Sequence, residues 1–134
     1  MAMIESQGLT KTFKARKKTV EAVRGVDLVV NEGEIFGFLG PNGAGKTTTM
    51  RMLSTLLDPT SGNATVCGYD LRKQQAQVRR MIGYVGQKGG AEPKETGREN
   101  MVLQARLYGM SKAEAQKRAA ELITRLDLEA YAER

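Results

Sequence analysis

Apolar positions change their period along the chain. From Thr19 to Val30, Val20 and Ala22 and then Val26, Leu28 and Val30 alternate with polar neighbours, and Met3 to Leu9 has the same character. A period of two sorts side chains onto two faces, so both stretches predict strands in the antiparallel style. Arg24-Gly25 or Asn31-Glu32-Gly33 supplies a turn, and Lys11 to Lys18 reads as a polar, basic connection carrying one aromatic, Phe13. Glu34 to Leu39 is a short apolar run of strand type, Gly40 to Gly45 a glycine turn, and the pattern from Lys46 onward is amphipathic. Thr48 to Leu57 is expected to be a helix covering the sheet, with Met50, Leu53 and Leu57 on one stripe and Met52 and Leu56 beside it. Asp58 to Gly62 ends it, because Pro59 cannot continue a helix. Leu71 to Arg80 has helical composition, and Met81 to Val85 predicts a second buried strand. Thr96 with Glu99, and Ser111 with Glu114, have the spacing that caps a helix start. Ala115, Ala119, Leu122, Ile123 and Leu126 then recur at helical spacing and give the last helix one apolar face.

The order strand, glycine turn, helix places a specific chemistry between Glu34 and Leu53. Gly40, Gly45, Lys46 and Thr47 satisfy G-x-x-x-x-G-K-S/T, the phosphate-binding P-loop. Gly40, Gly43 and Gly45 lack a Cβ, so the backbone can take positive φ and gather successive N–H groups around a phosphate. The positive end of the helix adds to that anion site. Lys46 contributes a point charge for the terminal phosphates, the Thr47 hydroxyl is placed for the accompanying Mg²⁺, and Thr48 donates to the innermost phosphate.

Length and composition narrow the class. The 134 residues suit one domain, and 40% apolar with 27% charged residues is globular rather than disordered composition. No apolar run approaches the roughly 18 residues of a membrane span, and Met1 to Lys11 lacks the features of a signal peptide, so a cytoplasmic chain is expected. Cys67, the one cysteine, lies in the apolar run Ala64 to Cys67 and reads as a small buried hydrophobe. There is no histidine, so no step can use an imidazole from this chain. The net charge of +6 is spread, densest at Lys11 to Lys18, and only 5% of residues are aromatic, which argues against specific nucleic-acid binding.

Leu9-Thr-Lys-Thr-Phe13, Val23-Arg-Gly-Val26, Gly33-Glu34 and Gly40-Pro-Asn-Gly-Ala-Gly-Lys-Thr-Thr48 together resemble the opening of an ABC transporter ATPase subunit. Pro59 to Gly62 and Gly68-Tyr-Asp70 match as well, and Gly-Arg-Glu-Asn100 with Leu107-Tyr-Gly109 look most like the branch that exports drugs and antibiotics. The resemblance implies an α/β fold: a P-loop NTPase core of ABC type, an N-terminal antiparallel β-subdomain, and the start of a helical subdomain. It places the β-subdomain and P-loop core in 1–88 and the segment leading into the helices in 89–134. It also implies that Gly40, Pro41, Asn42, Gly43, Ala44, Gly45, Lys46, Thr47 and Thr48 hold ATP, that Phe13 stacks on adenine, and that Ala22 flanks the same ring. Core packing is the other reading of Phe13. Gln87 falls where the family keeps the Q-loop glutamine, which contacts Mg²⁺ and the attacking water. That role suits a neutral side chain with both donors and an acceptor. Without the resemblance, Gln87 reads as a solvated loop residue. Lys46 and Gln87 are thus the catalytic candidates, and Thr47 and Gln87 the metal contacts.

The implied partners are a transmembrane permease subunit and a second ATPase subunit in a head-to-tail homodimer, placing the protein on the inner face of the cell membrane. Nothing after Ser111 resembles the LSGGQ signature, and no apolar strand ending in Asp-Glu follows, so the family's domain reads as truncated before the signature and Walker B. The expectation is a chain that binds ATP but does not hydrolyse it alone, with uncovered apolar faces, such as Ala115 to Leu126, prone to self-association. Two rival classes remain: an ABC-type ATPase of DNA repair or translation, and a P-loop enzyme of another kind such as a kinase.

Overall fold

The computed structural model describes residues 1–86 and 90–134. They divide into two compact units, Met1–Tyr84 and Val85–Arg134.

The first unit is built on a long hairpin. β1 (Ala2–Ala15) and β2 (Lys18–Asn31) pair antiparallel, with Ile4 opposite Val30, Ser6 opposite Leu28 and Leu9 opposite Val26. β3 (Ser61–Val66) pairs with the other edge of β1, and β4 (Tyr69–Asp70) with β3, giving the order β2-β1-β3-β4. The period-two pattern of Val26, Leu28 and Val30 therefore does what it predicts. The basic stretch does not: β1 runs on to Ala15 and β2 starts at Lys18, so only Arg16 and Lys17 turn the chain. Phe13 is opposite Val20 in a strand, not in a loop. Long charged side chains are tolerated there because both faces of the ribbon tip meet water. Arg24-Gly25 is no turn either; β2 continues through it, and the chain turns after Asn31, where Gly33 has φ 76°.

β3 approaches β1 closely at one point. Gly62 has φ 84°, and a Cβ there would stand 2.2 Å from the Gly8 carbonyl oxygen, so glycine is required. Between β3 and β4 the turn is Cys67-Gly68, with φ 52° and 78°. Positive φ at both central residues is the hairpin turn whose twist suits the strands. Cys67 is accordingly half-buried in a turn, rather than the buried hydrophobe that the run Ala64 to Cys67 led one to expect.

Leu9, Val23, Ala64 and Val66 from the sheet, Met52 and Leu53 from α1 (Lys46–Leu53), Leu71, and Val78 from α2 (Gln75–Met81) form the core. α1 is shorter than the predicted Thr48 to Leu57. Thr55 takes φ 60° and the Leu56 N–H reaches back to the Arg51 carbonyl at 2.9 Å, a left-handed helix end. The buried stripe is Thr49, Met52 and Leu53, and Met50, expected on the stripe, is exposed on the other side.

Two expected strands are absent from the sheet. Glu34 to Leu39 and Ile82 to Val85 lie outside any ladder, Met81 closes α2, and Ile35 and Val85 are 101% and 96% exposed. Ile82 has extended dihedrals, φ −112° and ψ 151°, but a strand needs a neighbour to bond, and none of the described residues serves.

In the second unit α3 (Gly97–Leu107) and α4 (Lys112–Arg125) both begin with the predicted capping boxes. The Thr96 N–H donates to the Glu99 carboxylate at 2.8 Å, and the Ser111 N–H to Glu114 at 2.9 Å. Thr96 through its N–H and then its hydroxyl holds Glu99 below the usual glutamate range, and the Ser111 hydroxyl and N–H do the same for Glu114. The α4 face is covered, contrary to expectation: Ala115, Ala119 and Ile123 are buried, α3 packs alongside, and the turn after α4 folds back so that the Ala132 carbonyl accepts from Arg98 N–H. Leu126 alone of the five stays mostly exposed, and Leu122 is half-buried.

Candidate functional site

Gly40 to Gly45 forms a largely exposed loop leading straight into α1 at Lys46. Gly43 and Gly45 take φ 83° and 87°, the left-handed region expected of glycines that turn their N–H groups inward. The Ala44 N–H donates to the Pro41 carbonyl at 3.2 Å, closing the loop on itself, and the Thr49 N–H to the Gly45 carbonyl at 2.8 Å starts the helix. The first N–H groups of α1, those of Lys46, Thr47 and Thr48, have no intrahelical acceptor and point out of the helix start. Asn42, Gly43 and Thr47 are exposed, and a Cβ at Gly43 would meet nothing within 4 Å, so the loop mouth is open space. Gly40 differs from the other two: its φ is not positive, and an added Cβ would lie in ordinary contact, 3.5 Å from the Ala44 side chain.

The Lys46 ammonium is held inside the loop, donating to the Gly40 carbonyl at 2.5 Å and to the Pro41 carbonyl at 2.7 Å. Lys46 therefore already lies on the loop that its charge would serve.

β2 fixes the loop from below. The register skips Ala22: Lys11 is opposite Val23 and Thr12 opposite Glu21, so Ala22 is the extra residue of a bulge. A Cβ on Gly45 would stand 2.5 Å from the Ala22 carbonyl oxygen and 3.1 Å from Val23 Cγ2. Gly45 is thus required twice, by its φ and by this contact. The resemblance assigns Ala22 a side-chain role, whereas the structure shows its backbone against the loop. No side-chain pattern announces a bulge carbonyl, so the sequence held no signal for it. Phe13 is opposite Val20, two residues beyond Ala22 or about 7 Å along the strand. Its ring is partly exposed, with Lys11 Nζ 5.3 Å from its centroid. Gln87 lies outside the described residues.

Could these residues hold a nucleotide and its metal? The open loop mouth, the two left-handed glycines and the free helical N–H groups fit a chain of phosphates. The Thr47 hydroxyl, exposed at the helix start, is a suitable oxygen ligand for Mg²⁺. Among the described residues no group of three or more Asp, Glu, Cys or His could hold an ion.

A glycine loop of G-x-x-x-x-G-K-T spacing that opens a helix at Lys46 and Thr47 defines the class of P-loop proteins. Within that class the chain belongs to the ABC transporter family, whose profile matches residues 23–134. It is 48% identical over 120 residues to the daunorubicin/doxorubicin resistance ATP-binding protein of Streptomyces peucetius, covering 90% of this chain and 35% of that protein. It is 41% identical over 133 residues to the ABC transporter ATP-binding protein NatA of Bacillus subtilis, covering 98% of this chain and 54% of that one. The chain thus spans a third to a half of these relatives. Among solved structures, a bacterial ABC transporter cassette determined as a dimer superposes with a TM-score of 0.86 at 31% identity, over 98% of this chain and 60% of that one. An ATP-binding cassette in a post-hydrolysis state with ADP and Pi gives 0.85 at 28% identity, over the same shares. The fold is that of the ABC ATPase cassette.

Proposed function

We propose that this chain is the ATP-binding part of an ABC transporter ATPase subunit that energises export of a drug or antibiotic through separate membrane subunits. One observation carries the nucleotide reading: left-handed Gly43 and Gly45 bend the loop while the Lys46 ammonium sits within it. On binding, Lys46 exchanges the Gly40 and Pro41 carbonyls for phosphate oxygens, an exchange favoured because a charged acceptor makes the stronger bond. The amides of Gly43, Gly45, Lys46, Thr47 and Thr48 receive the remaining oxygens, Asn42 and Ala44 complete the loop mouth, and Phe13 covers the adenine. Thr47 and Gln87 would hold Mg²⁺ on the protein side, where it would supply charge neutralisation for the phosphates. The drug-resistance name of the Streptomyces relative supports the export assignment, and the dimeric cassette supports a second copy as partner.

The boundary proposed for the two parts is 1–88 and 89–134. Among the described residues no helix is long and apolar enough to cross a membrane. A position on the inner membrane face would therefore come from the permease subunit. For the chain by itself we infer binding without turnover, because its 134 residues hold no signature, no Asp-Glu after an apolar strand and no histidine. The nearly full exposure of Ile35 and Leu39 supports self-association in solution.

Calorimetric titration with Mg·ATP should give saturable binding that weakens at least about tenfold in Lys46→Ala, the loss of one charge-assisted contact. Phosphate release should stay at the level of that variant. Turnover above it would refute the inactivity inference, and a monomeric light-scattering mass at high concentration would refute self-association.

A further inference from the structure

The tip of the β1–β2 hairpin carries charge that the P-loop chemistry leaves unused. Lys14, Arg16, Lys17 and Lys18 are all exposed, and the sequence from Lys11 to Val20 contains no Asp or Glu. Among the described residues the ion pairs are Arg24 with Glu21, Arg98 with Glu133 and Arg118 with Glu121, so none of the four is neutralised, and the nearest carboxylate in sequence, Glu21, is already engaged by Arg24 at 3.6 Å. Lys11 is different, since its ammonium donates to the Asp58 carbonyl at 2.6 Å.

The same hairpin touches the loop at Ala22, whose carbonyl bars any side chain at Gly45. The pair Lys14–Thr19 lies three residues from Ala22 and Lys18 four, about 10 and 13 Å along the ladder. That is too far for direct contact with phosphates in the loop, and near enough for their field to be felt there. We infer that the basic hairpin tip steers the polyanionic nucleotide toward the P-loop, raising its association rate without touching it once bound. The inference rests on the nucleotide reading above.

Magnitude decides where the effect is visible. Four unit charges about 15 Å from a dianion in water change an encounter rate about tenfold when the screening length is about 30 Å, at 0.01 M ionic strength. At 0.15 M, where it is about 8 Å, the same charges give less than about twofold.

The test is stopped-flow binding of a fluorescent ATP derivative with Mg²⁺ to the full chain. The variants are Lys14→Gln/Arg16→Gln/Lys17→Gln/Lys18→Gln and Arg16→Gln/Lys17→Gln, the second confined to the two turn residues outside the ladder so that folding is spared. Expected at 0.01 M is an association rate lower by about tenfold in the first and about threefold in the second, with the dissociation rate unchanged and both differences nearly gone at 0.15 M. The charge-conserving exchange Arg16→Lys/Lys17→Arg should keep the original rate. If the unmodified chain binds and the neutralised variants associate equally fast at low salt, steering is overturned and the nucleotide site stands. A change confined to dissociation would also overturn it, by showing direct contact. No binding by the unmodified chain would sink both readings together.

Discussion

Two short apolar runs of the first unit have opposite fates. Ala64 and Val66 in β3 are 7% and 2% exposed, whereas Ile35 and Leu39 are 101% and 94% exposed. Val66 has Ile4 on one side and Tyr69 on the other, and Ala64 faces Ser6, so the ladder aims both side chains at the core. Glu34 to Leu39 has no ladder among the described residues. Apolar composition sets the demand for burial, while a bonded neighbour determines whether a strand can meet it.

The contrast is tested first where packing is tightest. Gly62→Ala would force a Cβ into the Gly8 carbonyl at an unfavourable φ, and should lower stability by about 3 kcal/mol or more in a urea titration. Next, Val66→Ala should cost about 2 kcal/mol for its lost methyls and cavity, and Leu39→Ala less than about 0.5. Equal costs would mean that the 34–39 run is packed in solution and that the contrast is false. In the second unit, where caps rather than ladders set the element starts, Thr96→Ala should lower stability by about 1 kcal/mol.

The smallest effect concerns acid. Glu114 has a depressed pKa in the folded chain, so its contribution is present above the ordinary glutamate value and is lost as pH falls through the depressed one. Glu114→Gln should therefore be less helical than the parent at neutral pH and match it at the acid end, below the ordinary carboxylate range, by circular dichroism. Glu99 follows the same sign, but its neighbour Glu95 is raised, first by the Glu99 side chain, and opposes it.

Local chemistry is legible in the sequence itself. The capping boxes at Thr96 and Ser111, the alternation in β2, and the glycine loop into α1 each depend on residues a few positions apart. What escaped depends on distant partners. The 34–39 and 82–85 runs look like strands by composition, the extent of the hairpin is decided by register, and the Ala22 bulge is a relation between two strands. The covered face of α4 likewise needs α3 and the turn at Ala132, which no periodicity within α4 reveals.

The proposed nucleotide site depends on backbone amides between Gly43 and Thr48 binding phosphate. The direct measurement is a nitrogen–proton correlation spectrum of the chain titrated with Mg·ATP. Large shifts at the Gly43, Gly45, Lys46 and Thr47 amides, saturating together, with β3 and α4 amides still, are the predicted result. Saturable shifts elsewhere that leave those four amides in place would contradict it.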